Sequence, residues 1–210
     1  VSEVEKPSPK VCEIIEHIFN NYAEDWVISE KEIVCATARD KNFGGKNWKE
    51  YEKKDWDKER PSKDYWKELF RVSKNQIVWG ANYFTEFLPP SMGWIFWDKG
   101  QDLTMSDGEL AFTSFQKALR RYVINRCHNG ESGGLLHPTQ KPLKLYTRTL
   151  RDYTTVGDKI LDTHLGSGSS RIAAYEMGFD FTGFEIDKDY FEAQEKRYQN
   201  FIKQLSLFPH

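Results

Sequence analysis

Residues able to do chemistry concentrate between positions 137 and 187 of this chain. Asp162, Gly166, Ser167, Gly168 and Ser170 stand close together, and Glu185 follows shortly after. Residues 159–162 are a short apolar run closed by an acid, which reads as a strand. Gly166 and Gly168 let the backbone turn sharply and approach a ligand with no side chain in the way. Ser170 is placed to cap a helix over residues 171–177, which Gly178 ends. Residues 179–185 are the next strand, with Glu185 near its carboxyl end, where an open parallel sheet brings an acid to the ribose of a nucleoside. The chemistry predicted is therefore the holding of a nucleoside. No lysine follows the second glycine, so this is not a phosphate-binding lysine loop, and Arg171 replaces the third glycine of a dinucleotide fingerprint. The second departure disfavours a nicotinamide-dependent oxidoreductase.

These groups need a frame. Residues 143–153 read as a helix, and residues 190–205 as a closing amphipathic helix with Phe191, Ala193, Tyr198 and Ile202 on its core face. Strands are predicted over residues 76–79, 94–97, 111–115 and 122–125, with a helix over 64–70. Further upstream, residues 11–22 carry apolar positions at helical spacing, and residues 33–36 suit a short strand. Residues 40–63 are polar and crowded with charge, a solvated face or a loop whose Trp48, Tyr51 and Trp56 could touch DNA. Lys117, Arg120, Arg121 and Arg126 gather around the last two strands as a local basic surface. Residues 127–136 hold three glycines and read as a loop. Pro89-Pro90, between Leu88 and Ser91, is a rigid turn and not a catalytic motif.

At 210 residues the chain suits a single domain with a proper core. Its 39% hydrophobic and 30% charged residues place it among folded, soluble chains, and no run is long and apolar enough for a membrane span. A net charge of −2 argues against a globally basic nucleic-acid binder, so a DNA-facing surface must be local. Cys12, Cys35 and Cys127 lack metal-ligand spacing, which favours a reducing cytoplasm and no structural metal.

Three pieces occur in a fixed order: His137-Pro138-Thr139-Gln140-Lys141-Pro142, the run from Asp162 through Gly166-Ser167-Gly168 to Ser170, and Gly183-Phe184-Glu185-Ile186-Asp187. This series resembles the DNA amino-methyltransferases that modify adenine N6 or cytosine N4, in their permuted, beta-type motif order. The likeness reaches back to about Phe43 through Trp79-Gly80-Ala81-Asn82-Tyr83-Phe84, Trp97-Asp98-Lys99-Gly100 and Gly108-Glu109-Leu110-Ala111-Phe112-Thr113-Ser114-Phe115, while residues 1–42 do not fit it. Asp162-Thr163-His164 stands where the family usually has Asp-Pro-Phe. The resemblance implies an α/β, Rossmann-like methyltransferase fold, with a mostly parallel seven-stranded sheet and helices on both faces. Residues 1–210 would form one domain, with 1–42 an atypical N-terminal part and 137–210 the cofactor-binding half. It implies S-adenosylmethionine as cofactor, with Asp162, Gly166, Ser167 and Gly168 around the methionine part and Glu185 on the ribose hydroxyls. His137, Thr139, Gln140 and Lys141 would line the pocket beside the donor. An ordinary proline-bounded helix start and a packed histidine are the plain readings of the same residues.

The implied activity is methylation of an exocyclic base amine in double-stranded DNA, adenine N6 before cytosine N4, in a cytoplasmic restriction-modification setting of a bacterium or its phage. No metal and no membrane are implied, and the chain would act as a homodimer or with a partner subunit. The family's catalytic tetrad, Asp or Asn followed by Pro-Pro and an aromatic, belongs near Val34 to Lys41. The chain there reads Val34-Cys35-Ala36-Thr37-Ala38-Arg39-Asp40-Lys41, with Asp40 the only acid and no proline between Pro9 and Pro61. A stretch is missing from this sequence, or the chain is a catalytically silent relative, or another group replaces the tetrad. The alternative function is accordingly an inactive S-adenosylmethionine- and DNA-binding partner subunit.

Overall fold

The computed structural model describes residues 60–100, 106–126, 136–137 and 139–207. The helix expected over residues 11–22, the strand over 33–36, the polar stretch 40–59 and most of the glycine-bearing loop 127–136 lie outside the described residues. So do Val34 and Lys41 and all that stands between them, the place expected for the catalytic tetrad.

Helix α1 (Lys63–Val72) starts at Ser62, whose hydroxyl accepts the Tyr65 N–H at 3.2 Å. Trp66, Leu69 and Val72 recur at helical spacing and are its buried face. Strand β1 (Ile77–Trp79) follows and is buried throughout. Strands β2 (Trp94–Asp98), β3 (Gly108–Thr113) and β4 (Arg120–Val123) join it in the order β1-β3-β2-β4. β3 runs antiparallel to both neighbours, with Ala111 opposite Trp79 on one side and Ile95 on the other. β4 runs parallel to β2 and places Tyr122 opposite Trp97.

Helix α2 (Leu143–Tyr153) leads into β5 (Lys159–Asp162), helix α3 (Ser169–Glu176), β6 (Asp180–Gly183) and the long helix α4 (Lys188–Leu207). β5 and β6 are parallel and in register from Lys159↔Asp180 to Asp162↔Gly183. Alternation along β1 and β3 sends side chains to two faces. Ile77, Trp79 and Ala111 share a core with Ile160 of β5, Leu145, Leu150 and Tyr153 of α2, and Ala173 and Ala174 of α3. Val78 and Phe112 face the other way, onto Trp66 and Leu69 of α1. Helices therefore cover both faces, as an α/β layer architecture requires.

Among the described residues six strands form two sheets, a mixed four-stranded one and a parallel two-stranded one. Two of the expected strands shift. The one expected over 111–115 begins at Gly108 and the one over 122–125 begins at Arg120, because pairing with β2 decides the ends, not local apolarity. α4 differs as well. Phe191 is exposed, and the face turned inward carries Tyr190, Gln194 and Arg197. Among the described residues no helix is long and apolar enough to cross a membrane.

Candidate functional site

The loop after β5 folds around Asp162. Its side chain is 1% exposed, one oxygen accepting the His164 N–H at 2.9 Å and the other the Ser170 hydroxyl. Ser170 therefore does not cap α3 as its position suggests. The cap position is Gly168, at φ +72°, and Ser170 lies inside the first turn with its hydroxyl spent on Asp162. Gly166, at φ +51°, is the second left-handed residue, a conformation that costs other residues about 1–2 kcal/mol. Burial raises the Asp162 carboxyl above its usual range, against the pull of Ser170, the His164 N–H and the Lys141 charge.

Glu185 stands two residues beyond the end of β6 and reaches back to the turn. Its carboxylate accepts the Gly166 N–H at 2.8 Å on one oxygen and the Asp187 N–H at 2.9 Å on the other. A carboxylate has about four acceptor sites, so two donors leave capacity for the two hydroxyls of a ribose. Burial raises its pKa, partly offset by the Asp187 and Gly166 N–H groups, while the Asp162 and Asp187 charges raise it further.

The hexapeptide approaches the turn from the other side. A Cβ at Gly166 would lie 3.7 Å from the His137 ring, which packs against Tyr190 with centroids 4.4 Å apart. The Thr139 N–H donates to His137 Nδ1 at 3.3 Å, so that nitrogen is an acceptor and the ring is neutral. Its pKa is pushed down to about 4, first by burial and then by the Lys141 charge, with Asp187 opposing. Gln140 accepts the Leu136 N–H at 2.9 Å and is itself buried. Lys141 is 4% exposed, with its ammonium 3.5 Å from Glu109 and 5.7 Å from the centre of the Trp79 ring. Glu109 also takes Lys99 at 2.9 Å, so two ammonium groups share one carboxylate.

Helix α4 holds the turn from behind. Arg197 donates to the Ser167 carbonyl and to the Ser169 hydroxyl, both at 2.9 Å, and is 2% exposed. Ser167, itself buried, has its hydroxyl 3.2 Å from that of Ser169. Gln194 packs so close to Gly168 that a Cβ there would lie 3.0 Å from the Gln194 amide oxygen. Arg171, the residue in place of a third glycine, donates to Gln194 at 3.1 Å and stacks 3.7 Å over the Tyr198 ring. Arg197 and Gln194 escaped the sequence reading because nothing local marks them, and Glu109 was given no role there though it lies in a segment that carries the family likeness. Their roles come from partners far away in the chain.

The nine predicted residues thus divide. Gly166, Glu185, His137 and Thr139 meet at the mouth of the turn, Gly168 and Ser167 face α4, Asp162 closes the loop, and Gln140 and Lys141 anchor the hexapeptide. Two of the four residues read as a basic surface have partners of their own. Lys117 donates to the Asp152 carbonyl at the carboxyl end of α2, about 15 Å along that helix from the hexapeptide, and Arg121 is paired with Asp98 at 2.6 Å. Among the described residues no group of His, Cys, Asp and Glu could hold a metal.

Comparison with known proteins agrees with this arrangement. A stretch of the chain is 41% identical over 61 residues to the type II methyltransferase M2.DpnII of Streptococcus pneumoniae, covering 29% of this chain and 23% of that protein. The corresponding match to M2.LlaDCHI of Lactococcus lactis subsp. cremoris is 38% over 61 residues, with the same coverage. The matched stretch is thus under a quarter of either relative. Among solved structures, the M1.HpyAVI complex with SAM superposes with a TM-score of 0.60 at 19% identity, over 89% of this chain and 95% of that one. The cytosine-N4-specific PvuII DNA methyltransferase gives 0.56 at 14% identity, over 88% and 83%. These likenesses show the methyltransferase fold. Residues 5–196 match the N6/N4 DNA methylase family, and the chain belongs to that family of DNA amino-methyltransferases.

Proposed function

We propose that this chain binds S-adenosylmethionine between the glycine turn and Glu185 and methylates an exocyclic base amine of double-stranded DNA, adenine N6 by preference. One observation carries the reading: the hexapeptide, the turn and Glu185, far apart in sequence, converge on Gly166. When bound, S-adenosylmethionine supplies an electrophilic methyl group on a sulfonium. The walls suit such a cation. His137 stays uncharged above about pH 4, and the Lys141 ammonium is drawn toward Glu109. Glu185 offers acceptor capacity toward the ribose, and the two left-handed glycines keep side chains out of the way. The task left to the protein is alignment of donor and amine, since the sulfonium is already reactive.

A second reading follows from the sequence between Val34 and Lys41, where the Pro-Pro-aromatic tetrad is absent. Without acceptors for the amine hydrogens, transfer slows by orders of magnitude. The chain would then be a silent donor- and DNA-binding partner subunit. A radiolabelled methyl-transfer assay on mixed double-stranded DNA, with Gly166→Asp as control, separates the two. N6-methyladenine in the digest is the expected product. N4-methylcytosine would overturn the adenine assignment, and no transfer by a chain that still binds S-adenosylhomocysteine would favour the silent subunit.

A further inference from the structure

The Asp162-Thr163-His164 tripeptide, where the sequence departs from its family, is tied to helix α1. Tyr65 of α1 places its hydroxyl 2.9 Å from Thr163 Oγ1, and Thr163 Oγ1 lies 2.9 Å from His164 Nδ1. A threonine hydroxyl has one proton and two lone pairs, so it serves both neighbours at once. The Tyr65 and His164 rings also meet edge to face, with centroids 5.7 Å apart. From His164 the chain of bonds continues. Its backbone N–H donates to Asp162 at 2.9 Å, and Asp162 accepts the Ser170 hydroxyl in the first turn of α3. Proline and phenylalanine at these two positions could make neither the hydroxyl bond nor the imidazole bond.

The geometry points to Tyr65 as a positioning residue for the donor pocket, acting through Thr163 and His164 to fix the loop that carries Gly166. α1 is packed on the opposite sheet face by Trp66 and Leu69 against Val78 and Phe112, so the Tyr65 hydroxyl projects from a fixed support. Linked polar groups of low exposure strengthen one another, and removing one member loosens the rest. Tyr65 would therefore set the loop before the ligand arrives, which lowers the ordering cost of binding. This inference rests on the donor reading above.

The test uses the full chain and S-adenosylhomocysteine, with Tyr65→Phe, Thr163→Val and the double variant. Each is measured by calorimetry and by hydrogen exchange at the His164 and Gly166 amides without ligand. Tyr65→Phe keeps the ring and is expected to weaken binding about five-fold, the size of one lost hydrogen bond, with faster exchange at His164. The double variant should lose little more than Thr163→Val alone, since that substitution already breaks the link to Tyr65. Re-measuring at a temperature well below each variant's melting point separates a lost loop geometry from a lost fold. Unchanged affinity and exchange in Tyr65→Phe, with wild type binding normally, would overturn the inference alone. Full additivity of the two substitutions would also overturn it. No binding by the wild-type chain would overturn the donor reading and this inference with it.

Discussion

Between β1 and β4 the interior is built of rings. Trp79 and Trp97 meet edge to face with centroids 6.3 Å apart, Trp94 meets Phe112 at 5.9 Å, and Tyr122 donates to Asp152 under the Arg148 guanidinium. Around the glycine turn the buried atoms are polar instead: Asp162, Gln194, Arg197, Lys141 and His137. The first region gains its stability mainly from area and shape, with a few hydrogen bonds at its edge such as that of Tyr122 to Asp152. The second gains little from area, and each polar group there costs free energy unless its partner is in place. Aromatic packing thus supplies the support, and the polar turn spends part of that stability on a fixed binding geometry. Substitutions should divide accordingly, the β1–β4 side moving stability and the turn moving ligand affinity.

The largest effect is expected from Trp97→Ala, which should cost about 3–5 kcal/mol in urea unfolding. Its affinity for S-adenosylhomocysteine should stay within about two-fold of wild type when measured well below the melting point. A parallel loss of affinity would break the division.

The acid limb of stability comes next. His137 has its pKa lowered from 6.5 to about 4, so the stability tied to its neutral form is complete above pH 6.5 and is lost as the pH falls through 4. Full protonation should cost about 3 kcal/mol. Melting curves across that range should show the slope in wild type and a flatter one in His137→Asn, whose amide oxygen can still accept from Thr139. Equal slopes would remove His137 from the account.

Two glycines with nearly equal backbone angles sharpen the comparison further. Gly168 has φ +72° and Gly178 φ +74°, but a Cβ at Gly168 would press on Gln194 while one at Gly178 meets nothing within 4 Å. Gly178→Ala should cost about 1 kcal/mol from backbone strain alone. Gly168→Ala should cost about 2 kcal/mol or more and weaken ligand binding as well, since Gln194 must shift. Equal losses would mean that α4 does not clamp the turn. The smallest effect is expected from Arg121→Ala. It breaks a solvent-screened pair with Asp98 and should leave the melting temperature nearly unchanged in the same melts.

The sequence-level reading succeeded where short-range spacing carries the physics. An apolar run ending in Asp162, two glycines and a helix stop at Gly178 form one local unit, and the structure has β5, the left-handed turn and α3 there. The motif series supplied the contact between the hexapeptide and the turn, which no local pattern could. Strand ends failed because pairing across the sheet sets them. Phe191 misled because its helical spacing suits a core face. Rotation about α4 is set instead by Arg197 and Gln194 reaching the turn, and polar residues give no hydrophobic signal. Tyr65 was equally silent. Its partner Thr163 is a neighbour only in space.

The central claim is that the crevice beside Gly166 and Glu185 is shaped for a sulfonium nucleoside. A crystal structure of the chain grown with S-adenosylhomocysteine tests it most directly. The account predicts the ribose hydroxyls on the Glu185 carboxylate, with the Gly166 N–H still donating to it and the nucleoside lying beside His137. A nucleoside bound elsewhere, or a crevice closed by the protein's own side chains at saturating ligand, would contradict it.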